Sequence, residues 1–259
     1  MIKNDWNPEK YLNFDKERIQ PNIDLVSRIN QLNPASAVDI GCGPGNSTQI
    51  LISRWPGIRT VGIDSSEAMI EKARTDYPGR EWIVADAGKT DIDGTFDIAF
   101  SNSTIQWIPD HPVLIKWFHS VLNDGGSIAV QLPDFLEMPL GLAIDRVSKS
   151  SRWNSAMGDV SDTFTMHSLG EYYDMLSPLF TGIELWETRY VHIFPSQKHV
   201  FDMIYSTGLR PYLHRLESDG EKKEFENDIF NAIQADYPVQ KDGSVLFTFY
   251  RMFFTGVKR

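Results

Sequence analysis

Three glycines at alternate positions, Gly41, Gly43 and Gly45, follow an apolar segment ending in Asp39-Ile40, and a helix-forming stretch begins near Asn46 or Ser47. A chain that leaves a strand through closely spaced glycines can bring bare backbone against a ligand where any Cβ would collide. The helix behind it offers unpaired N–H groups and a positive dipole end. Two more carboxylates stand at matching places: Asp64 closes Val61-Gly62-Ile63, and Asp86 closes Val84-Ala85. Cys42 lies inside the loop, but no histidine is near it in sequence to serve as base, so a small side chain packed under the glycines is its expected role.

The spacing separates two ligand classes. A dinucleotide fingerprint is G-x-G-x-x-G, with pyrophosphate on the helix N-terminus. Here the pattern is G-x-G-x-G, preceded by Asp39. An aspartate repels a diphosphate and attracts an amine. The loop therefore points away from NAD and towards S-adenosylmethionine, which carries an ammonium, a sulfonium and no phosphate. Asp64, with two carboxylate oxygens, can accept both ribose hydroxyls. Asp86 can accept from the adenine amino group, the alternative being a helix cap. Met69, on the helix after Asp64, is expected near the adenine face or as core filler.

The elements that must position these residues alternate. Strands are expected at 37–40, 59–63, 81–85, 96–100 and 126–131, and helices at 48–55, 66–75 and 112–122. Repeated βα units build a parallel sheet covered on both faces, with ligands outside the carboxyl ends of its strands. The glycine loop, Asp64, Asp86 and Asn102 all fall at that edge. Residues 5–31 read as two short helices broken near Pro21, with Tyr11, Phe14 and Arg18 on one face; Arg18 either closes the site or is a solvated charge. An insertion at 134–165 is followed by a helix at 167–178 and a strand at 182–194. A helical cap at 196–236, interrupted at Gly208-Leu209-Arg210-Pro211, precedes a last strand at 245–257. No repeat or linker divides the chain, so one domain is expected over 1–259, its cofactor-binding core at 35–133.

The 259 residues carry a formal net charge of -10, which argues against a nucleic-acid backbone as partner. No apolar run approaches the roughly 20 residues that span a bilayer, and the first residues lack a signal-peptide core. The single cysteine suits a reducing compartment, so the expected location is cytoplasmic. No metal is expected.

Asp39-Ile40-Gly41-Cys42-Gly43-Pro44-Gly45, Gly62-Ile63-Asp64 and Asp86 resemble the successive motifs of class I S-adenosylmethionine-dependent methyltransferases. The resemblance implies an α/β, Rossmann-like seven-stranded sheet with its last strand antiparallel, flanked by helices. It places Asp39, Gly41, Cys42, Gly43, Gly45, Asp64, Ser65, Met69, Asp86 and Asn102 about the cofactor. Asp5-Trp6-Asn7-Pro8, Asn46-Ser47-Thr48, Ser65-Ser66, Gln106-Trp107, Pro109-Asp110-His111, Val130-Gln131, Pro133-Asp134 and Thr207-Gly208-Leu209-Arg210-Pro211 extend the likeness to the trans-aconitate 2-methyltransferase family. That resemblance implies methyl transfer to a carboxylate oxygen, forming a monomethyl ester.

A carboxylate of ordinary pKa near 4 is already ionised at neutral pH, so no general base is required. The free carboxylates need cations. Arg210, held in a stiff turn, is the first candidate, followed by His192 and Arg18, with Arg189 and His214 behind them. Asn102, Gln106 and Trp107 follow the fourth strand, where this fold places the methyl acceptor. Asn102-Ser103-Thr104-Ile105 lacks the prolines and aromatic of amino-directed DNA methyltransferases. The alternatives are a methyltransferase for another small or carrier-bound carboxylic acid, an NAD-dependent oxidoreductase, and a non-catalytic S-adenosylmethionine-binding protein.

Overall fold

The computed structural model describes residues 15–90, 92–158, 164–205 and 208–259, with side chains from residue 19 onward. Its seven strands are β1 (Ser36–Ile40), β2 (Arg59–Asp64), β3 (Glu81–Val84), β4 (Phe96–Asn102), β5 (Leu122–Pro133), β6 (Phe180–Phe194) and β7 (Val245–Lys258). They form one sheet in the order β3-β2-β1-β4-β5-β7-β6. Pairing is parallel from β3 through β5, and β7 runs antiparallel to β5. The order reverses between β1 and β4, the crevice where open α/β sheets bind ligands.

Contacts gather into two compact units. Of the described residues, one holds those up to Pro133 together with Phe164–Glu187 and Arg251–Arg259; the other holds those of Asp134–Thr163 and Thr188–Tyr250. In the first unit β1 is central, and Ala37, Val38, Asp39 and Ile40 are all fully buried. A parallel strand covered on both faces needs such a run, and each large apolar side chain so buried contributes roughly 1.5–3 kcal/mol. Helices Asn46–Arg54, Glu67–Asp76 and His111–Ser120 make the crossovers.

One sequence expectation is corrected here. Pro21 does not break the N-terminal segment, since a single helix, Asp15–Ser27, runs through it. Proline removes one backbone hydrogen bond from a helix interior. Buried Pro21, Asn22, Leu25 and Val26 offset that loss by packing one face into the first unit. Tyr11 and Phe14 lie outside the described residues.

The second unit is built from helices Pro139–Ser148, Asn154–Met157, Gln197–Tyr205, Arg210–Leu213 and Asp219–Ile233, with the outer halves of β6 and β7. Trp153 meets Phe225 edge-on at 5.2 Å and donates its indole N–H to Asp228 at 2.8 Å. The insertion and the segment expected as a cap thus share one core.

Under the short 3-10 turn Ile105–Trp107 lies a fully buried histidine. His111 Nε2 is 2.9 Å from the Ile105 carbonyl, and Nδ1 is 2.9 Å from the Tyr172 hydroxyl. A carbonyl can only accept, so Nε2 carries the proton and Nδ1 accepts from Tyr172. Burial lowers the pKa of His111, and the neighbouring His167 acts in the same direction. The unfolded chain binds the proton near the ordinary value of about 6.5 while the folded chain resists it, so this stability is complete above that pH and is lost as pH falls. Thermal unfolding between about pH 7.5 and pH 5 should show a falling midpoint, and His111→Gln should flatten that fall. An equally steep fall in the variant would remove His111 as its source.

Candidate functional site

The three loop glycines all adopt positive φ, at 72°, 55° and 97° for Gly41, Gly43 and Gly45. At Gly41 a Cβ would also lie 2.1 Å from the Thr104 side chain, so two constraints select glycine there. At Gly43 a Cβ would meet nothing within 4 Å, so open space adjoins the loop there. Gly41 and Cys42 both donate to the Ile63 carbonyl, at 2.8 and 3.0 Å, which ties the loop to β2. Gly45 caps the helix Asn46–Arg54. The Cys42 side chain turns under the loop onto Ile70, Ala73 and Trp82, and burial pushes its thiol well above the ordinary range. It is placed for packing, and only its backbone can face a ligand.

Beneath the loop, Asp39 is fully buried. Its Oδ2 accepts from the hydroxyls of Ser47 and Thr48, each at 2.6 Å. Its Oδ1 is buried and has no hydrogen-bond partner among the described residues. Burial raises the carboxyl to about 6, against the lowering effect of the two hydroxyls. Relative to water, holding the charge there costs about 3 kcal/mol. A buried acceptor left open, next to a glycine cradle, fits a cationic donor.

Asp64 lies at the end of β2 and braces the loop: Oδ2 accepts from Gly43 N–H at 3.0 Å and Oδ1 from Ser66 N–H at 2.8 Å. Burial raises its pKa, opposed by those two N–H groups. Each carboxylate oxygen keeps a second lone pair for a hydroxyl donor. Ser65 is exposed beside it, and Ser66 caps the next helix. Met69 is buried within the first unit and sits as core. Asp86 Oδ2 is engaged by the Lys89 ammonium at 2.6 Å, an exposed pair at the end of β3.

The segment after β4 contributes a second cluster. Asn102 and Gln106 are buried, and Asn102 Oδ1 and Gln106 Oε1 have no hydrogen-bond partner among the described residues. Gln106 Nε2 donates to the Ser103 carbonyl at 2.8 Å, which fixes its amide orientation. Trp107 packs on Phe164, with ring centroids 4.8 Å apart. Ser103 holds φ at 55°, a left-handed conformation costly for a residue with a Cβ. Three bonds keep it there: its N–H donates to the Gln131 carbonyl at 2.8 Å, its hydroxyl donates to Gln131 Oε1 at 3.0 Å, and Arg251 Nη1 donates to the hydroxyl at 2.8 Å.

Four of the expected cations belong to the second unit. Arg210 begins a short helix of the second unit, half-buried, and burial lowers its pKa. His192 stacks between Phe194 and Phe247 in that unit, at 6.2 and 6.3 Å. Arg189 is exposed, with its guanidinium 4.5 Å from the Tyr250 ring centroid, and His214 is exposed. Arg18 lies on the helix Asp15–Ser27, and its side chain is outside the described residues. Sequence reasoning missed Ser47 and Thr48 as partners of Asp39, and gave Ser103, Gln131 and Arg251 no role in a site. Arg251 had left a signal, a charge enclosed by Phe249-Tyr250 and Met252-Phe253-Phe254.

The chain's likenesses agree with this geometry. Residues 38–130 match the methyltransferase-domain family. A trans-aconitate 2-methyltransferase of Rhodopseudomonas palustris (strain BisB5) is 36% identical over 98% of this chain and 99% of its own length. Its counterpart from Escherichia coli (strain 55989 / EAEC) is 36% identical over 96% of each. Phosphoethanolamine N-methyltransferase 2 of Haemonchus contortus, solved with S-adenosyl-L-methionine, shares the fold at a TM-score of 0.61 and 18% identity, over 97% of this chain and 56% of its own. Full-length similarity at this level, over the seven-stranded sheet and the glycine loop, leads to one conclusion: the chain belongs to the trans-aconitate 2-methyltransferase family of class I S-adenosylmethionine-dependent methyltransferases.

Proposed function

We propose that this protein methylates a carboxylate oxygen of trans-aconitate, giving the monomethyl ester, with S-adenosylmethionine as methyl donor. The observation that carries the reading is Asp39, a buried carboxylate with one oxygen open beneath a glycine cradle. Relatives 36% identical over nearly the whole chain bear that activity in their name.

The donor, when bound, supplies a methyl group made electrophilic by a sulfonium. Asp39 Oδ1 and Asn102 Oδ1 suit its ammonium, because both are buried acceptors that lack partners among the described residues. Asp64 is proposed to take the ribose hydroxyls through its remaining lone pairs, and Asp86 to lie towards the adenine. Gln106 offers an acceptor, and Trp107 with Phe164 forms an aromatic wall that keeps water from the reacting atoms. The acid arrives ionised, so no residue has to remove a proton. What the chain contributes is alignment and a dry, charge-matched surround.

Among the described residues no helix is long and apolar enough to cross a membrane. A cytoplasmic location is proposed on the single thiol, which is buried under the loop.

Calorimetry with S-adenosylhomocysteine should give binding in the free protein, weakened at least about tenfold in Asp64→Ala, that is by about 1.4 kcal/mol or more. Tighter binding of NADH than of S-adenosylhomocysteine would defeat the cofactor assignment. With labelled S-adenosylmethionine, trans-aconitate should be methylated with a kcat/KM at least about tenfold above that of monocarboxylates, because a monocarboxylate forgoes the charge-assisted contacts that the further carboxylates make. Equal rates across the acids would remove the tricarboxylate substrate.

A further inference from the structure

Three buried polar atoms of the first unit share one sign. Asp39 Oδ1, Asn102 Oδ1 and Gln106 Oε1 are acceptors left open, and acceptors suit the ammonium and hydroxyls of a cationic cofactor. None of them can bind a carboxylate, which itself only accepts. Across the β4–β5 pair from Asn102 the chemistry reverses. Gln131 is fully buried and sits opposite Asn102 in the β4–β5 register. Its Oε1 accepts from Ser103 Oγ at 3.0 Å and from Arg251 Nη1 at 3.4 Å. Those two donors fix the amide orientation and leave Nε2 as a buried donor with no partner among the described residues.

Arg251 supplies the charge. It pairs with Pro133 at the end of β5 in the antiparallel register, is 2% exposed, and is ionised at every relevant pH. A guanidinium out of water acts on an anion far more strongly than one at the surface. Its bond to Ser103 couples it to the strained residue between Asn102 and Thr104, so it also sets the segment that follows β4.

We propose that Arg251 and Gln131 form the subsite for a non-reacting carboxylate of the acceptor acid, Arg251 by its charge and Gln131 through its Nε2–H. The assignment rests on the carboxyl-methylating reading above. It makes Arg251 the residue that selects polycarboxylates over monocarboxylates in an acidic protein.

The test uses the full chain and two variants. Arg251→Met removes the charge; Gln131→Glu keeps an acceptor for Ser103 and Arg251 while setting a carboxylate in the subsite, which turns it against anions. Calorimetry of trans-aconitate on protein saturated with S-adenosylhomocysteine is the first readout, and KM and kcat for a tricarboxylate and a monocarboxylate are the second. Expected are at least about tenfold weaker trans-aconitate binding and a matching rise in KM in both variants, the range found when a desolvated charge pair is cut. The loss should be at least about tenfold larger for trans-aconitate than for the monocarboxylate or for S-adenosylhomocysteine, and Arg251→Lys should recover part of it. Unchanged trans-aconitate affinity in a folded variant, equal losses for all acids, or failure of both variants to fold would overturn the subsite. If the wild-type protein binds trans-aconitate through Arg251 yet transfers no methyl group to it, the proposed function fails and the subsite stands.

Discussion

The site is organised around one carboxylate placed where water cannot solvate it. Asp39 occupies the central strand, fully buried, and the two hydroxyls that reach its Oδ2 come from the first turn of the next helix. Those bonds set the path of the loop between strand and helix, because both of its ends are held at one point. The glycines then let the backbone turn through conformations closed to other residues. A neutral residue at position 39 would spare the cost of burying a charge. It would also remove a charged acceptor that a cation could meet at the floor of the loop.

From this follows the division of the first unit into two electrostatic halves. At the ends of β1 and β2 stand the carboxylates Asp39 and Asp64, and after β4 the open acceptors of Asn102 and Gln106, the company a sulfonium with an ammonium requires. On β5 and β7 the chemistry is that of donors, Gln131 Nε2 and the Arg251 guanidinium. The cofactor is cationic and the proposed acceptor anionic, so one net charge could not serve both. A chain of formal charge -10 can bind a trianion only by a local reversal, and a buried guanidinium is the economical form of one.

Much of this was legible in the residues. Alternating short apolar runs and helical stretches placed the strands of the parallel part within a few residues, because strands buried on both faces are apolar without interruption. The acidic residues closing β2 and β3 were found for the same reason. Pro21 was misjudged, since a local helix-breaking rule lost to packing of the buried face of Asp15–Ser27. Ser47 and Thr48 were read as the start of a helix, and only the fold shows both hydroxyls on one carboxylate. Arg251 and Ser103 are separated by 148 residues, and no local pattern reports a contact at that range. Arg210 drew notice through turn chemistry, which is visible locally, whereas Arg251 stood in a strand that otherwise reads as core.

The direct test of Asp39 as the acceptor for the cofactor's ammonium is its titration by carbon-13 NMR of the labelled carboxyl, in the free protein and with S-adenosylhomocysteine. In the free protein the carboxyl should titrate at about 6, raised by burial from 3.8. With the ligand's ammonium beside Oδ1 it should fall by at least about one unit, since an adjacent opposite charge favours the ionised form. A carboxyl that titrates near 6 in both states, or one already near 3.8 in the free protein, would contradict the account.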